Sequence, residues 1–484
     1  MKRLITVLGV VLSGISLAQT GPAGIGTFDG SLGPRNVLWI RSDAGVTASG
    51  GFVDSWAGQP TNGLNAVQGS ASLRPSFNAS NPAFNGFPSL NFLPGAAANY
   101  HLAIPDNDLL DDSPGMSFFI VLNPSTNGTQ GILNKRTDAG QNQAYRIYRN
   151  GGNILSNVSN GANASIAMSN AANIFSSIYD QTLPGNKYNL FVNSTDNASS
   201  NVTTTNPKMD SPLYIGNFDL TDTRSFDGDI AEIIIYNDAL NNAEKIIIEN
   251  YLSQKYDLSI GANDFFASGD AGYDNDLVGI GTDDGAVKNS TSGFSDALQI
   301  SELGNTLNSP NEYLFLAHDN TPHNQAVAVS DPDVIDRWAR SWYLESSGSI
   351  SANLRFDFGE AGLTLGNPAD DYVLLYRATT SDNFTRVASN SIAIENTDQV
   401  VVDLSNQDLA SGYYTLGRGT QIVSDTFYSF QSGDWESATT WTTDPSGALL
   451  EPPTGNIPTA SDNMVVLNGT TVRMATDNND GVNL

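Results

Sequence analysis

The sequence predicts an all-β protein of about three domains, and three observations carry this prediction. The 51 acidic residues are 41 Asp and only 10 Glu; Asp favours turns and caps, whereas Glu favours helices. The 45 Gly, together with abundant Asn, Ser and Thr, are typical of strands joined by tight turns. Short runs rich in branched and aromatic residues recur between Gly, Asn, Asp or Pro, a spacing typical of β-sandwiches.

The N-terminus predicts export. The chain begins with Met1, Lys2 and Arg3, continues with an apolar run from Leu4 to Leu12, and reaches small residues before Ala18. This pattern indicates a cleavable signal peptide over residues 1–18, followed by a flexible leader over residues 19–35. A buried strand or a membrane anchor is the alternative, but the run is too short to cross about 30 Å of hydrocarbon. No later segment approaches 18 apolar residues, so the sequence predicts a secreted or cell-surface protein without a transmembrane segment.

Charge and cysteine content exclude several classes of function. The 484 residues include 22 basic and 51 acidic side chains, a net charge of −29. This balance repels phosphate backbones, so nucleic acid is not expected as a partner. The absence of cysteine excludes disulfides, thiolate chemistry and zinc–sulfur sites.

Residues 36–260 form the first predicted domain, a β-sandwich. Each of its predicted strands is four to eight residues long and ends at turn-forming residues. These strands are Asn36–Arg41, Ser117–Leu122, Ala144–Tyr148, Tyr188–Val192, Pro212–Gly216 and Asp229–Tyr236.

The segment Asn241–Tyr256 breaks the β pattern. Asn241 followed by Glu244 resembles a capping box, which marks the start of a helix. Four apolar residues make one face at helical spacing, namely Ile247, Ile248, Tyr251 and Leu252. We therefore expect a short amphipathic helix, packed on the sandwich, at the end of the first domain.

Two further β modules are predicted. Residues 261–420 form a second β-rich, sandwich-like domain, in which Ala352–Phe358 alternates with period two, as in a strand with one buried face. Residues 425–484 begin a third module, with predicted strands Asn463–Leu467 and Thr470–Met474. Because roughly sixty residues rarely form a closed core, we expect either the front part of a longer polypeptide or an unusually small module.

Particular stretches of the first domain resemble a known family. Trp39–Val46, Val53–Trp56 and Asn62–Ala66 open the domain, and Tyr214–Gly216, Phe226–Tyr236 and a helix over Ala243–Tyr256 close it. In this order they resemble laminin-G-like (concanavalin A-like) jelly-roll domains of Bacteroidetes-type surface proteins. The likeness implies a jelly roll over residues 36–260 that binds glycan or protein. It departs from the family at Trp56–Gly63, where an expected Asp and Ser-Gly are missing, so a ligand or cation role of that loop is not expected.

The later modules also carry a likeness. Gly279–Asp284 and Arg337–Trp342 resemble the uncharacterised β domain that commonly follows in such proteins. Ser432–Trp435 and Asp462–Val466 resemble the entry to a repetitive β module such as a right-handed β-helix. Proteins of this type often end in a secretion sorting domain, so the likeness implies further C-terminal domains.

The sequence does not predict catalysis. Concanavalin A-like glycosidases need a nucleophile and an acid about 5 Å apart, but no Glu precedes Glu232, and none follows it by three or four residues. His318 and His323 lie five residues apart in a segment with Pro and Asn, where we expect a solvated loop. No Gly-rich phosphate loop opens a helix.

Calcium is the one cofactor for which the sequence offers ligands, because hard oxygen donors are plentiful. The main candidates form two groups: Asp106, Asp108, Asp111 and Asp112; and Asp270, Asp274 and Asp276. Further acidic clusters are Asp283–Asp284 and Asp477–Asp480. None has EF-hand spacing, and Asp-rich loops are more often turn formers, so the calcium-free alternative stays open.

Aromatic residues offer candidates for sugar stacking, but burial in the core is the stronger expectation for the tryptophans. Trp39 and Trp56 lie in or near predicted strands, and Trp338 and Trp342 are four residues apart beside apolar neighbours. The candidate ligand contacts are instead residues that we expect in exposed positions, namely Tyr100, His101 and Tyr145.

The function that the sequence favours is non-catalytic binding of extracellular glycan or protein, as in adhesion, with loops on a rigid sandwich as the contact surface. Two alternatives remain. The chain could be the accessory and spacer region of a larger secreted carbohydrate-active enzyme whose active site lies beyond these residues, or it could be a structural stalk.

Overall fold

The computed structural model describes residues 21–473 apart from 32, 61, 93–98, 138–141, 203, 267–271, 286–287, 291, 304–305, 406, 421–425, 454 and 459–461. The predicted signal peptide, Asp270 and the Asp477–Asp480 cluster lie outside the described residues. No described helix is long and apolar enough to span a bilayer.

The described part of the first domain is built from short strands, as predicted. They are β1 (Asn36–Arg41), β2 (Val46–Ser49), β3 (Phe52–Trp56), β4 (Ala66–Val67), β5 (Ser76–Asn78), β6 (Ser89–Phe92), β7 (Leu102–Ile104), β8 (Gly115–Pro124), β9 (Gln130–Arg136), β10 (Gln143–Asn150), β11 (Asn153–Val158), β12 (Ala164–Ala167), β13 (Asn173–Asp180), β14 (Tyr188–Val192), β15 (Asp196–Ser200), β16 (Leu213–Ile215) and β17 (Gly228–Tyr236). Short 3-10 helices lie at Pro22–Gly24, Ala71–Leu73, Pro82–Phe84, Asp108–Leu110, Gly261–Asn263 and Ala369–Asp371.

These strands pair into two packed layers. Sheet 1 has the order β1-β17-β8-β13-β14-β15, and sheet 2 has the order β4-β7-β16-β9-β10-β11-β12. Strands β2, β3, β5 and β6 connect the two layers at one side, through pairs of β6 with β17 and of β3 with β4. The core between the sheets contains Phe118 and Ile233 from sheet 1 and Tyr145 and Ile215 from sheet 2. The predicted sandwich is thus confirmed.

A glycine is required where sheet 2 leaves β16. Gly216 has φ +81°, and a Cβ atom there would lie 2.0 Å from the Phe92 ring. Only glycine tolerates both the positive φ and this close approach. Gly216, the last residue of the Tyr214–Gly216 stretch, is therefore required by the packing against Phe92.

Helix α1 (Asn242–Tyr256) is the predicted helix. Asn241 caps it, and the capping box with Glu244 is present in both directions: the Glu244 amide donates to Asn241, and the Asn241 amide donates to Glu244. The expectation of a single buried face is wrong, because thirteen of its fifteen residues are buried. One side packs on sheet 1, and the other is covered by the second domain.

The second domain is a further β-sandwich in the described residues. Its strands are β18 (Asn275–Asp284), β19 (Lys288–Ser290), β20 (Ser292–Ser295), β21 (Leu298–Glu302), β22 (Pro310–His318), β23 (Gln325–Val327), β24 (Val334–Trp338), β25 (Trp342–Ser346), β26 (Ala352–Asp357), β27 (Tyr372–Arg377), β28 (Thr385–Val387), β29 (Ser391–Glu395), β30 (Gln399–Asp403) and β31 (Gly412–Gly419). Sheet 3 contains β19-β18-β22-β25-β31 with β24, β23, β27 and β28, and sheet 4 has the order β20-β21-β26-β30-β29.

The four sheets stack with α1 in the middle. Phe119 and Ile234 of sheet 1, Ile247 and Leu252 of α1, and Phe315 of sheet 3 belong to one buried cluster, which we call the interdomain core. Sheets 3 and 4 enclose a separate core that contains Trp338 and Trp342, as predicted. The order of layers is therefore sheet 2, sheet 1, α1, sheet 3, sheet 4.

The prediction of a flexible leader over residues 19–35 is wrong for residues 21–27, which are buried. Ala23 and Ile25 are buried in the interdomain core. The carbonyl of Ile25 accepts a 3.0 Å hydrogen bond from the Tyr236 hydroxyl. A Cβ atom at Gly24 would lie 3.4 Å from Val278 of β18. These residues are ordered because the two domains together bury them.

The third module has strands β32 (Thr426–Ser429), β33 (Gly433–Asp434), β34 (Trp441–Thr442), β35 (Asn463–Val465) and β36 (Val472–Arg473). Two of the pairings are parallel: Thr426 pairs with Asn463, and Gly433 pairs with Val472. The chain therefore comes back to pair with itself after roughly 37 to 39 residues, a spacing that lies within the range of solenoid repeat lengths.

Candidate functional site

The two outer faces of the first domain differ in what covers them. The outer face of sheet 1 is buried against α1 and the second domain. The interdomain core contains no described residue of sheet 2. On β12 the side chains alternate: Ala164 and Ile166 are buried, whereas Ser165 and Ala167 are exposed. We call the outer surface of sheet 2 the sheet-2 face.

One row of side chains crosses the sheet-2 face. In the strand register, Val67 pairs with Ala103, Ala103 with Tyr214, Tyr214 with Asn134, Asn134 with Arg146, and Arg146 with Asn157. Neighbouring residues along these strands point inwards, as Leu102, Ile104, Leu133 and Ile147 do. Because the pleat alternates, this row lies on the side of sheet 2 that faces away from the sandwich core, although its members range from position 67 to position 214.

Aromatic rings on this face are covered by arginines. Phe218, in the loop after β16, is 2% exposed, and the guanidinium carbons of Arg136 and Arg224 lie 5.1 and 4.6 Å from its ring centre. The guanidinium of Arg146 lies 4.5 Å from the ring centre of Tyr148. The polar edges of the arginines, not the ring faces, are therefore the groups that this surface offers to a ligand.

Two of the three arginines are neutralised locally. Arg136 donates to Asp219 at 2.5 Å, and its guanidinium lies 3.8 Å from Asp222, which also pairs with Arg224. Burial would raise the pKa of Asp219, but hydrogen bonds from Arg136 and Thr221 lower it below its usual value. The Asp222 carboxyl is likewise lowered in pKa, by Arg224 against the effect of burial. Both carboxylates therefore stay ionised and paired.

Arg146 differs from its two neighbours. Its Nη2 atom donates to the Asn163 Oδ1 atom at 3.3 Å, and no described carboxylate lies within ion-pair distance. Its Nε atom is buried without a hydrogen-bond partner among the described residues, and so is the Oδ1 atom of Asn134, its partner in the row. Burial, and then the nearby charges of Arg136 and Arg224, lower the pKa of Arg146.

A cleft of about 620 Å³ opens at the rim beside this face. Its lining includes Thr137, Gln143, Ser159, Asn160, Lys208 and Asp210. The Gln143 amide donates to Asn157 at 2.9 Å, and Asn157 donates to Asn163 at 2.9 Å. An amide chain thus connects the rim cleft to the Arg146 end of the row.

The predicted ligand contacts are mostly buried. Tyr145 lies in β10 and is fully buried in the sandwich core, so its prediction as an exposed contact is wrong. His101 is 3% exposed and bonds to Gln68 at 3.0 Å and to the Asn99 carbonyl at 2.6 Å, which corrects its prediction too. Tyr100 is half-buried. Burial lowers the pKa of His101.

Lysines take the place that was predicted for calcium in the first acidic group. Lys135, buried between the sheets, lies 2.6 Å from Asp106 and 3.3 Å from Asp111. Lys208 pairs with Asp108 at 2.7 Å, and Asp112 is exposed. An ammonium between two carboxylates supplies the charge that a cation would bring, which corrects the prediction for this group.

The second acidic group is also dispersed. Asp274 is exposed, and Asp276 accepts a 3.1 Å hydrogen bond from His318. Among the described residues, no three His, Cys, Asp or Glu side chains come together as a possible metal site. Asp283 and Asp284 lie at the end of β18. Calcium binding stays a prediction for which these positions offer no assembled ligand set.

The prediction of a solvated loop is wrong for His318, whereas His323 lies in the loop between β22 and β23 and is mostly buried there. His318 ends β22 and is 3% exposed. His323 packs against the rings of Trp338 and Trp342 and bonds to Asp296, which also pairs with Arg340. Burial raises the pKa of Asp296, but His323 and Arg340 together lower it to about 2. This cluster supports the sandwich core.

Glu232 is buried and fully bonded. Its Oε1 atom accepts hydrogen bonds from Trp39 at 2.7 Å and Tyr251 at 2.9 Å. Its Oε2 atom accepts from Lys255 at 2.8 Å and Tyr256 at 2.7 Å. Burial and the Glu232 charge raise the pKa of both tyrosines. The carboxylate joins sheet 1 to α1.

Family comparisons agree with this geometry. Residues 96–244 match a family model described as the concanavalin A-like lectin/glucanases superfamily. The first domain is concanavalin A-like. Residues 244–412 match a domain of unknown function, DUF8202, as the uncharacterised second domain was expected to do. No curated protein matches the chain.

Solved structures show only distant likeness. A Trypanosoma rangeli sialidase in complex with sialic acid is 15% identical with a TM-score of 0.33, over 51% of this chain and 37% of the sialidase. Domain 4 of AbnA, a GH43 extracellular arabinanase from Geobacillus stearothermophilus in complex with arabinotriose, is 13% identical with a TM-score of 0.29, over 47% and 98%. The binding domain of Paraclostridial Mosquitocidal Protein 1 is 10% identical with a TM-score of 0.33, over 79% and 91%. Similarity at this level is too low to transfer a ligand or a reaction.

Sequence reasoning missed the polar row of the concanavalin A-like domain. Arg146 and Tyr148 lie two apart in a strand that was predicted, and this alternation placed them on one face. Asn134, Arg136 and Tyr214 join them only through the strand register. The signal for an outward face was present in β10, but its partners could not be identified from spacing.

Proposed function

We propose that this chain is an exported, non-catalytic binding protein whose concanavalin A-like domain holds a glycan on the sheet-2 face. The observation that carries the proposal is the difference between the two faces. The second domain buries sheet 1, whereas the outer side of sheet 2 lies outside that interface and carries the partly exposed Arg146 and the exposed Asn163.

The chemistry of this row suits sugar hydroxyls. The partly exposed Arg146 and the exposed Asn163 offer donors and acceptors at the surface, above the buried amides of Asn134 and Asn157. Their positions are held by strand pairing and by the hydrogen bond from Asn134 to the Asn217 carbonyl at 2.9 Å. Rigid polar groups lose little conformational entropy when a ligand binds, which favours affinity.

The carboxylates of the domain do not favour hydrolysis. Both oxygens of Glu232 are occupied by two donors each. The aspartates that come together share a basic residue, Asp106 and Asp111 around Lys135 and Asp219 and Asp222 around Arg136. Retaining hydrolysis needs a free nucleophile and a proton donor about 5 Å apart, and these pairs offer neither.

The later modules would then display the binding face. Sheets 2 and 4 are the outermost of the four layers, so the sheet-2 face points away from the second domain. A surface mounted in this way is accessible to an extended glycan. The remaining modules act as spacer in this proposal.

A glycan array with the full chain tests the proposal, followed by titration of the best glycan against Ala103→Trp. Ala103 is half-buried and is the second of the six positions of the row, so an indole there would project over the face without removing a hydrogen bond. We expect affinity to fall about tenfold or more, the loss of a few hydrogen bonds.

The matched control is Ala393→Trp, which places the same side chain on exposed β29 of sheet 4. It should leave the affinity unchanged. An array without any bound glycan, or equal affinity for both variants and the unmodified chain, would contradict binding on this face.

A further inference from the structure

We infer that the glycan is acidic and that Arg146 receives its carboxylate. This inference rests on the proposed glycan binding and names the class of ligand. It comes from the arrangement of charges on the sheet-2 face, where the described residues include three neighbouring arginines and two aspartates within a strongly acidic protein.

The charge of the cluster is left uncompensated at one position. Arg136 and Arg224 share two aspartates, Asp219 and Asp222. Arg146 completes the group of three arginines and has only the neutral amide of Asn163 as a side-chain hydrogen-bond partner among the described residues. A single negative group beside Arg146 would balance the cluster.

The orientation of the Arg146 guanidinium is fixed in a way that suits a planar anion. This group stacks 4.5 Å from the ring centre of Tyr148, which restricts it to one plane. Stacking covers a face of the guanidinium, and the Nε atom is buried, so the edge that remains for a ligand is the terminal one formed by Nη1 and Nη2. Carboxylates match such an edge with two parallel hydrogen bonds.

The overall negative charge does not prevent this. Exposed charges more than about 8–10 Å apart are largely screened at physiological ionic strength, so a single sugar carboxylate responds mainly to the nearby arginines. A polyphosphate chain needs many basic contacts, whereas Arg146 is the one arginine of the described part of this face that has no carboxylate partner. The ligand is therefore a sugar acid and not a nucleic acid.

The test compares a uronic acid oligosaccharide with its methyl-esterified counterpart, which has the same shape and no charge. By calorimetric titration against the full chain, we expect the acid to bind about ten- to a hundredfold more tightly, the range of a charge-assisted hydrogen-bond pair. Higher salt should weaken binding of the acid and leave the ester unchanged.

Variants assign this preference to one residue. Arg146→Gln should abolish the preference for the acid, and Arg146→Lys, which keeps the charge without the planar fork, should retain part of it. Arg473→Gln, at an exposed position of the third module, is the matched control and should retain it fully.

The outcomes separate the two proposals. Equal affinity of the unmodified chain for acid and ester, or an unchanged preference in Arg146→Gln, would overturn the acidic ligand while glycan binding stands. Comparing the acid with the ester uses only the unmodified chain, so it tests the acidic ligand even if Arg146→Gln does not fold. Failure of every glycan on the array would overturn both.

Discussion

Buried basic residues explain why several aspartates that the sequence marked as possible ligands are structural. Lys135 lies between Asp106 and Asp111, Arg136 lies near Asp219 and Asp222, and Lys255 bonds to Asp43 and Glu232. Removing one partner from such a group leaves an uncompensated charge, which is strongly destabilising. A few lysines and arginines thus determine how the excess acidic charge is tolerated inside the fold.

At Asp296 this pairing predicts a dependence of stability on pH. Its pKa is about 2 in the folded chain against an ordinary value of 3.8. A depressed pKa stabilises the folded state above pH 3.8, and this stabilisation is lost as the pH falls towards 2, because the unfolded chain takes up the proton first. The shift corresponds to roughly 2 kcal/mol.

Denaturant unfolding of Asp296→Asn between pH 5 and pH 2 measures this contribution. The difference in the free energy of unfolding from the unmodified chain should shrink as the pH falls. Asp274→Asn, at an exposed position, is the control and should show no such trend. A difference that stays constant over this range would contradict the role of the His323–Asp296–Arg340 group.

Among the elements, helix α1 shows which features could be predicted from the sequence and which could not. Its start was predicted from Asn241 and Glu244, because a capping box is a local interaction between residues three apart. The burial of this helix on almost all sides was not predicted, because the side that faces away from sheet 1 is covered by sheet 3. The strand positions follow the same rule, since β1 and β14 occur over the residues that were predicted for them.

The candidate site could be predicted only in part for a related reason. Burial of Trp56, Trp338 and Trp342 was anticipated from their apolar neighbours. The row on the sheet-2 face joins residues from 67 to 157 with Tyr214, and its members meet only when six strands pair in one register. Lys135 and Arg136 were not considered as partners of the aspartates, because those contacts cross between distant segments.

The cap of α1 offers a direct test at this scale. Asn241→Ala removes the side-chain acceptor for the Glu244 amide, and we expect the free energy of unfolding to fall by about 1 kcal/mol. Asn241→Asp keeps an acceptor and should restore most of it. Equal losses in both variants, measured by urea unfolding, would show that the cap does not stabilise the helix.

At the scale of the whole molecule, the interdomain core makes the first two domains interdependent. Ile247 of α1 reaches the second domain: a Cβ atom at Gly279 of β18 would lie 3.1 Å from its Cγ2 atom. The same helix packs on sheet 1 through residues such as Leu252. Neither domain can lose this helix without exposing a large apolar surface to water.

We therefore expect the two domains to unfold together. In scanning calorimetry they should give one transition, and Ile247→Ala should lower its midpoint without splitting it, through a loss of about 2–5 kcal/mol. Leu220→Ala, at a position that is 50% exposed, should change it little. Two separate transitions, with only one shifted by Ile247→Ala, would contradict the shared core.

The buried N-terminal segment has a mechanical consequence. Ala23 and Ile25 lie between the domains, where the Tyr236 hydroxyl holds the Ile25 carbonyl. If the protein is tethered or pulled at this end, the load passes first into the contact with sheet 1, α1 and β18, and not into the edge of one sandwich. Tension that pulls this segment out would therefore remove a contact shared by both domains before either domain unfolds.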